Sequence, residues 1–144
     1  MAGGGGNVIK GDLATGEGIE ENKFDTAIIT HTLMHIYNIE NVAQNIHKLL
    51  KKGGTALITV AGISKVSRYD ANNWGHFFGF YEDAMKKMFF PVFGGRNVII
   101  KSYGNVKTVI AMMYGMCYEE LSDADFTHND EDYPVVITVL CHKE

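Results

Sequence analysis

FDTAIITHTLMHIYNIENVAQNIHKLLKKGGTALITVAG, Phe24–Gly62, changes its periodicity twice. Ala27, Ile28 and Ile29 form a short apolar run between threonines, the pattern of a strand buried on both faces. Val42, Ile46, Leu49 and Leu50 then recur at i, i+4, i+7 and i+8, one apolar stripe of a helix. Asn38 is its predicted N-cap, and Glu40 lies in the first turn, where the helix dipole favours an anion. Lys48, Lys51 and Lys52 crowd the other end, and Gly53 supplies a left-handed stop. TALITVAG follows as a second apolar strand. Strand, helix, glycine pair, strand is a βαβ crossover, which builds a parallel sheet with helices on its faces. The expected fold is therefore an open α/β sheet. His31 falls at the carboxyl end of a strand, the edge at which such sheets bind ligands.

Outward from this unit, Asn7–Leu13 (NVIKGDL) reads as a short strand closed by a Gly-Asp turn, and residues 14–23 as a polar loop. Downstream, Trp74, Phe77, Phe78, Phe80 and Tyr81 lead into a helix bearing Met85, Met88 and Phe89. NVIIKSYGN is a third strand candidate. Val106–Leu121 reads as a helix with Ile110, Met113, Tyr114, Cys117 and Leu121 on one side. Serine and aspartates then form a loop. YPVVITVLCHK, rich in β-branched residues, is the last strand, with Pro134 at its start, where a missing N–H costs least.

The chain has 144 residues, the size of one domain, and its 46% hydrophobic content suffices for a core. A net charge of −4 with scattered lysines points away from nucleic-acid and anionic-membrane surfaces. No apolar run reaches the roughly 18 residues of a membrane span. No secretory segment is legible, so Cys117 and Cys141 are expected as buried free thiols and the location as cytosolic. Met1–Gly6 (MAGGGG) reads as a flexible glycine leader.

Two histidines four apart, His31 and His35, resemble half of an HExxH zinc site, but Thr32 stands where its glutamate belongs. The remaining histidines lie at no diagnostic spacing, and the cysteines form no CxxC. No metal is expected. One histidine is placed near a pocket rim and one against the sheet. Neither Gly3–Gly6 nor Gly16–Gly18 joins a buried strand to a helix, so neither is a phosphate loop. No G-x-S-x-G elbow is present. Asp12, at the expected ligand edge, either accepts a ligand hydrogen bond or simply forms a turn after glycine. Trp74, Phe77 and Phe78 either pack in the core or lid a substrate.

The order GDL, loop, FDTAIITHTLMHI, amphipathic helix, LLKKGGTALITV and aromatic segment resembles class I S-adenosylmethionine-dependent methyltransferases of the type 11 kind. SRYD, WGHFFGF, SYGN, YGMCYEELSDADF and DEDYPVVITV resemble more closely a bacterial subgroup found in cell-surface glycan loci. Met34 departs from a glutamate common in that family, and Gly79 from an arginine.

The resemblance implies an open, mainly parallel Rossmann-like sheet in the order 3-2-1-4-5-7-6 with an antiparallel last strand. It implies that residues 7–144 are a partial domain beginning at the third strand, without the glycine-rich cofactor loop. S-adenosylmethionine is the implied cofactor, and an oxygen or nitrogen of a small molecule or glycan the implied methyl acceptor. Asp12 and Leu13 would flank the adenine, and Thr30 and His31 would line the cofactor edge. Trp74 and Phe78 would meet the substrate, and His35 or His76 would take the acceptor proton. Without the first two strands, the strand around Ile28 becomes an apolar edge, which predicts self-association or pairing with a complementary half.

Overall fold

The computed structural model describes residues 8–144; the glycine leader expected at 1–6, together with Asn7, lies outside the described residues. Nine regular elements follow in chain order: β1 (Phe24–Thr30), α1 (Val42–Leu49), β2 (Leu50–Ala61), α2 (Arg68–Asn73), α3 (Glu82–Phe93), β3 (Val98–Tyr103), α4 (Val106–Tyr114), α5 (Asp123–Thr127) and β4 (Val136–His142). A single 3-10 turn, Leu33–His35, follows β1.

β1 and β2 are parallel neighbours, with Ile29 opposite Ile58 and Thr30 opposite Thr59. Of the stripe expected from the sequence, Val42, Ile46 and Leu49 are buried in the crossover helix α1 together with Ala43, whereas Leu50 already opens β2 and Gly53 lies within β2 instead of ending the helix. α1 begins three residues later than Asn38 predicts, with Asn41 at its N-cap. Its last two carbonyls, Lys48 and Leu49, accept from Asn22 and Lys23 N–H at 2.8 and 3.0 Å, and Lys143 Nζ donates to the flanking His47 and Leu50 carbonyls at 2.9 and 2.7 Å. The sheet order is β1-β2-β4-β3. β4 runs antiparallel to both β2 and β3, so β1, β2 and β3 share one direction and β4 alone opposes them. This is the open, mainly parallel sheet with an antiparallel last strand that the sequence predicts.

One face of the sheet holds the core. Ile29, Ala56, Ile58, Val60, Ile137, Val139 and Cys141 are buried there, with Val42 and Ile46 of α1 and Met85, Phe89 and Phe93 of α3. Side chains alternate across a strand, so the opposite face carries Ile28, Leu57, Leu140 and Ile99, which the pairing aligns in a single row. These are 70%, 41%, 37% and 54% exposed. β1 is thus covered on one face only, whereas its apolar run predicts burial on both.

Four other expectations change. Val8–Leu13 is irregular, not a strand, and Val8 and Ile9 are exposed. The helix read over Val106–Leu121 stops at Tyr114, because Gly115 takes φ +73° and closes it. Met116 N–H donates to the Ala111 carbonyl and Gly115 N–H to that of Met112, the paired bonds of a Schellman stop. Ile110, Met113 and Tyr114 are exposed, and Ala111 faces inward instead. The acidic stretch after it contains the short helix α5 where a loop was expected. Finally, Cys141 is a buried free thiol as expected, whereas Cys117 is free and exposed.

Candidate functional site

β1 ends abruptly. His31 takes φ +47°, a left-handed conformation uncommon outside glycine, while its N–H still donates to the Thr59 carbonyl at 2.9 Å. The chain turns there into the 3-10 segment, which brings His35 back over the sheet's carboxyl edge. β2 ends against the stretch before β4. Gly62 N–H donates to Val135 O and Ile63 N–H to Pro134 O, at 2.9 and 2.8 Å. A Cβ at Gly62 would lie 2.4 Å from the Pro134 carbonyl oxygen, so only glycine permits this approach.

Between these strand ends lies a cavity of about 340 Å³ whose walls include His31, His35 and His76, with Lys65, Ser67 and Asp70 from the start of α2. His35 Nδ1 is 2.6 Å from the Gly75 carbonyl oxygen. A carbonyl only accepts, so Nδ1 holds the proton, and in the neutral ring Nε2 is left as the acceptor. The His76 ring stands edge-on 5.5 Å from that of His35, and Trp74 lies 6.4 Å away on edge. His76 Nδ1 is buried and has no hydrogen-bond partner among the described residues. A buried ring nitrogen left unpaired is costly, and a polar group entering the cavity would relieve that cost.

The structure therefore brings His31, His35 and His76 together, with Trp74 alongside. The other sequence candidates lie elsewhere. Thr30 adjoins His31 in the chain, but its side chain belongs to the uncovered sheet face, in a row with Thr59, Thr138 and Lys101. The Asp12 carboxylate accepts from Ala14 N–H at 2.7 Å and Thr15 N–H at 3.3 Å, within its own turn. Leu13 packs beside Phe24, Ala27 and Leu49, and its carbonyl accepts from Asn45 Nδ2 at 2.8 Å. Phe78 stacks on Tyr37 and leans on Phe80 at the edge of the core.

Lys65, Ser67 and Asp70 were not read as site residues from the sequence, although Ser67 and Asp70 delimit the SRYD stretch of the resemblance. Ser67-x-x-Asp70 is a helix-start signature, and Ser67 Oγ does accept from Asp70 N–H. That signature locates a helix start; what it faces depends on contacts with the distant His31 and Val136. Among the described residues, no three His, Cys, Asp or Glu side chains converge as a metal set.

A donor bound in the manner of a Rossmann-like sheet needs a glycine-rich strand-to-helix loop and an acidic strand tip for its ribose. The connections after β1, β2 and β3 contain no Gly-x-Gly, and Asp12 is occupied with its own turn. Among the described residues, the strand ends thus offer the histidine-lined cavity and no glycine-rich connection.

A methyltransferase-domain family model matches residues 3–58 of the chain. No curated protein matches it. Among solved structures, an Archaeoglobus fulgidus SAM-dependent methyltransferase aligns with a TM-score of 0.56 at 14% identity, covering 95% of this chain and 67% of that one. Haemonchus contortus phosphoethanolamine N-methyltransferase 2, in complex with phosphomonomethylethanolamine and S-adenosylhomocysteine, aligns at 0.54 and 15%. There 92% of this chain is covered and 36% of the other, so the chain spans about a third of that relative's length. A Mesorhizobium loti S-adenosylmethionine-dependent methyltransferase gives 0.50 and 13%, over 87% of this chain and 64% of that one. The fold shared with these proteins is the methyltransferase-type α/β sheet.

Proposed function

We propose that residues 7–144 form the later part of an S-adenosylmethionine-dependent methyltransferase that acts on an oxygen or nitrogen of a small molecule or glycan. The observation that carries this reading is the His35–His76 pair over the carboxyl edge of the parallel β1–β2 pair, with His35 Nε2 free to accept a proton. S-adenosylmethionine, when bound, supplies a methyl group on a positively charged sulfur. The chain's own residues orient the acceptor and remove its proton. His35, its ring fixed by the Gly75 carbonyl, receives that proton on Nε2, and the unpaired His76 Nδ1 offers the acceptor a second polar contact. A positioned base of this kind contributes about 10²–10⁴ in rate.

Of the residues proposed to touch the donor, His31 borders the cavity, while Thr30 lies on the uncovered sheet face and Asp12 and Leu13 lie outside the cavity wall. Trp74 and Phe78 are the proposed aromatic contacts of the acceptor. A bacterial glycan-locus affiliation and a cytosolic location belong to the same proposal. No described helix is long and apolar enough to cross a membrane.

A second reading has its own observation, the uncovered apolar row of the sheet and the unpaired outer edge of β1. In it the chain is a non-catalytic module that completes a separate methyltransferase half. Titration calorimetry with S-adenosylmethionine separates the two. Micromolar binding, with methylation of an acceptor that falls about 100-fold in His35→Gln, supports catalysis. Silence at millimolar donor supports the module.

A further inference from the structure

A larger cavity, about 490 Å³, adjoins the histidine site and shares Met112, Val135 and Val136 with it. It owes its shape to the early stop of α4. Had the helix run on to Leu121, Met116 and Tyr118 would continue along its surface. The Schellman turn at Gly115 instead folds the following segment back, so that Met116, Tyr118 and Leu121 roof the cavity above Met112. Tyr118 is stacked on Phe126 at 4.7 Å, which stiffens the roof.

The volume is that of a small-molecule site. No Asp, Glu, Lys, Arg or His lines it. Its Thr108 hydroxyl is already engaged in the α4 capping box, donating to the Asn105 carbonyl and accepting from Asn105 N–H. Methionine walls adapt to irregular apolar shapes. A sugar placed here would strip water from its hydroxyls and find few replacements. A ring or short alkyl group would lose nothing of the kind.

We propose that this cavity seats the apolar body of an uncharged methyl acceptor, whose single hydroxyl or amine reaches past Met112 and Val136 to the His35–His76 pair. The proposal rests on the methyltransferase reading and narrows its acceptor to an apolar alcohol, phenol or aromatic amine. In the transfer, the sulfur–methyl bond of S-adenosylmethionine breaks, the oxygen–methyl or nitrogen–methyl bond forms, and the acceptor's proton passes to His35 Nε2.

The test uses the full chain labelled with ¹³C at its methionine methyls, titrated without donor by 1-naphthol and, separately, by methyl α-glucoside. The expected result is a saturable shift of the Met112 and Met116 signals with naphthol below millimolar concentration, and none with the glucoside. Filling the cavity from its exposed rim by Met116→Trp, or charging it by Leu121→Arg, weakens naphthol at least tenfold, read at Met112. Ile28→Lys, on the separate uncovered sheet face, leaves binding intact. No saturable Met112 shift, an equal response to the glucoside, or loss of binding in Ile28→Lys overturns the assignment. Methyl transfer to a sugar without naphthol binding overturns the cavity assignment and leaves transfer standing. Naphthol binding with no transfer to any acceptor overturns transfer and leaves an apolar ligand site.

Discussion

His47 shows how one side chain ties stability to pH. Its ring meets Phe93 edge-on at 5.0 Å, and burial, then the Lys143 charge, hold its pKa below the ordinary 6.5. The unfolded chain therefore binds the proton first. Above about pH 6.5 both states are neutral and nothing is lost; as pH falls through 6.5 toward the folded value, stability declines. Urea unfolding from pH 7.5 to 5 is expected to show this decline, reduced in His47→Gln. The cysteines differ in the same physical terms. Burial pushes the Cys141 thiol up to about 12, while Cys117 is exposed. Iodoacetamide is expected to label Cys117 alone in the folded chain and both in urea, read by mass. Labelling of Cys141 under native conditions would contradict the packing of β4.

At the scale of elements, α4 is held by its ends. Asn105 is almost fully buried; its Oδ1 accepts from Thr108 N–H at 3.0 Å, and its Nδ2 donates to the Asp125 and His128 carbonyls at 2.7 Å each. It caps the helix and ties down α5 together. Asn105→Ala is expected to cost about 2–3 kcal/mol in thermal unfolding, more than a cap alone. Gly115→Ala, which forces a side chain into positive φ, is expected to cost about 1 kcal/mol.

These elements also show what a one-dimensional pattern can reveal. The β1–α1–β2 unit was legible because its apolar stripe and runs are local and point the same way as the turn residues between them. The stop at Gly115 was not, since Cys117 and Leu121 prolong the helical spacing past it and only the bonds to Ala111 and Met112 decide the matter. Val8–Leu13 has strand composition and, among the described residues, no strand partner; there β1 pairs with β2 alone. At the site, His31 and His35 could be read from their place after β1. Lys65, Ser67 and Asp70 could not, because loops of unrelated spacing bring them there.

The whole molecule carries one unbalanced feature, the row Ile28–Leu57–Leu140–Ile99 beside an unpaired strand edge. Four strands about 4.8 Å apart and about 7 residues long, at about 3.3 Å per residue, present a face on the order of 460 Å², smaller than the ~800 Å² per partner of a stable interface. Covering it firmly therefore engages the β1 edge as well. Light scattering across 1–100 μM is expected to show concentration-dependent association, and Ile28→Lys to diminish it. A clean monomer throughout would contradict this.

The middle position of β4 has a consequence for how the protein is made. β3 touches the sheet only through β4, and β4 is the last of the four strands in the chain. While a ribosome is still adding residues before Val136, β1 and β2 have each other, but β3 has only α3 to pack against and no strand to pair with among the described residues. A stalled or prematurely terminated product lacking that final strand would leave the facing edges of β2 and β3 open and so be a natural client for chaperones and proteases.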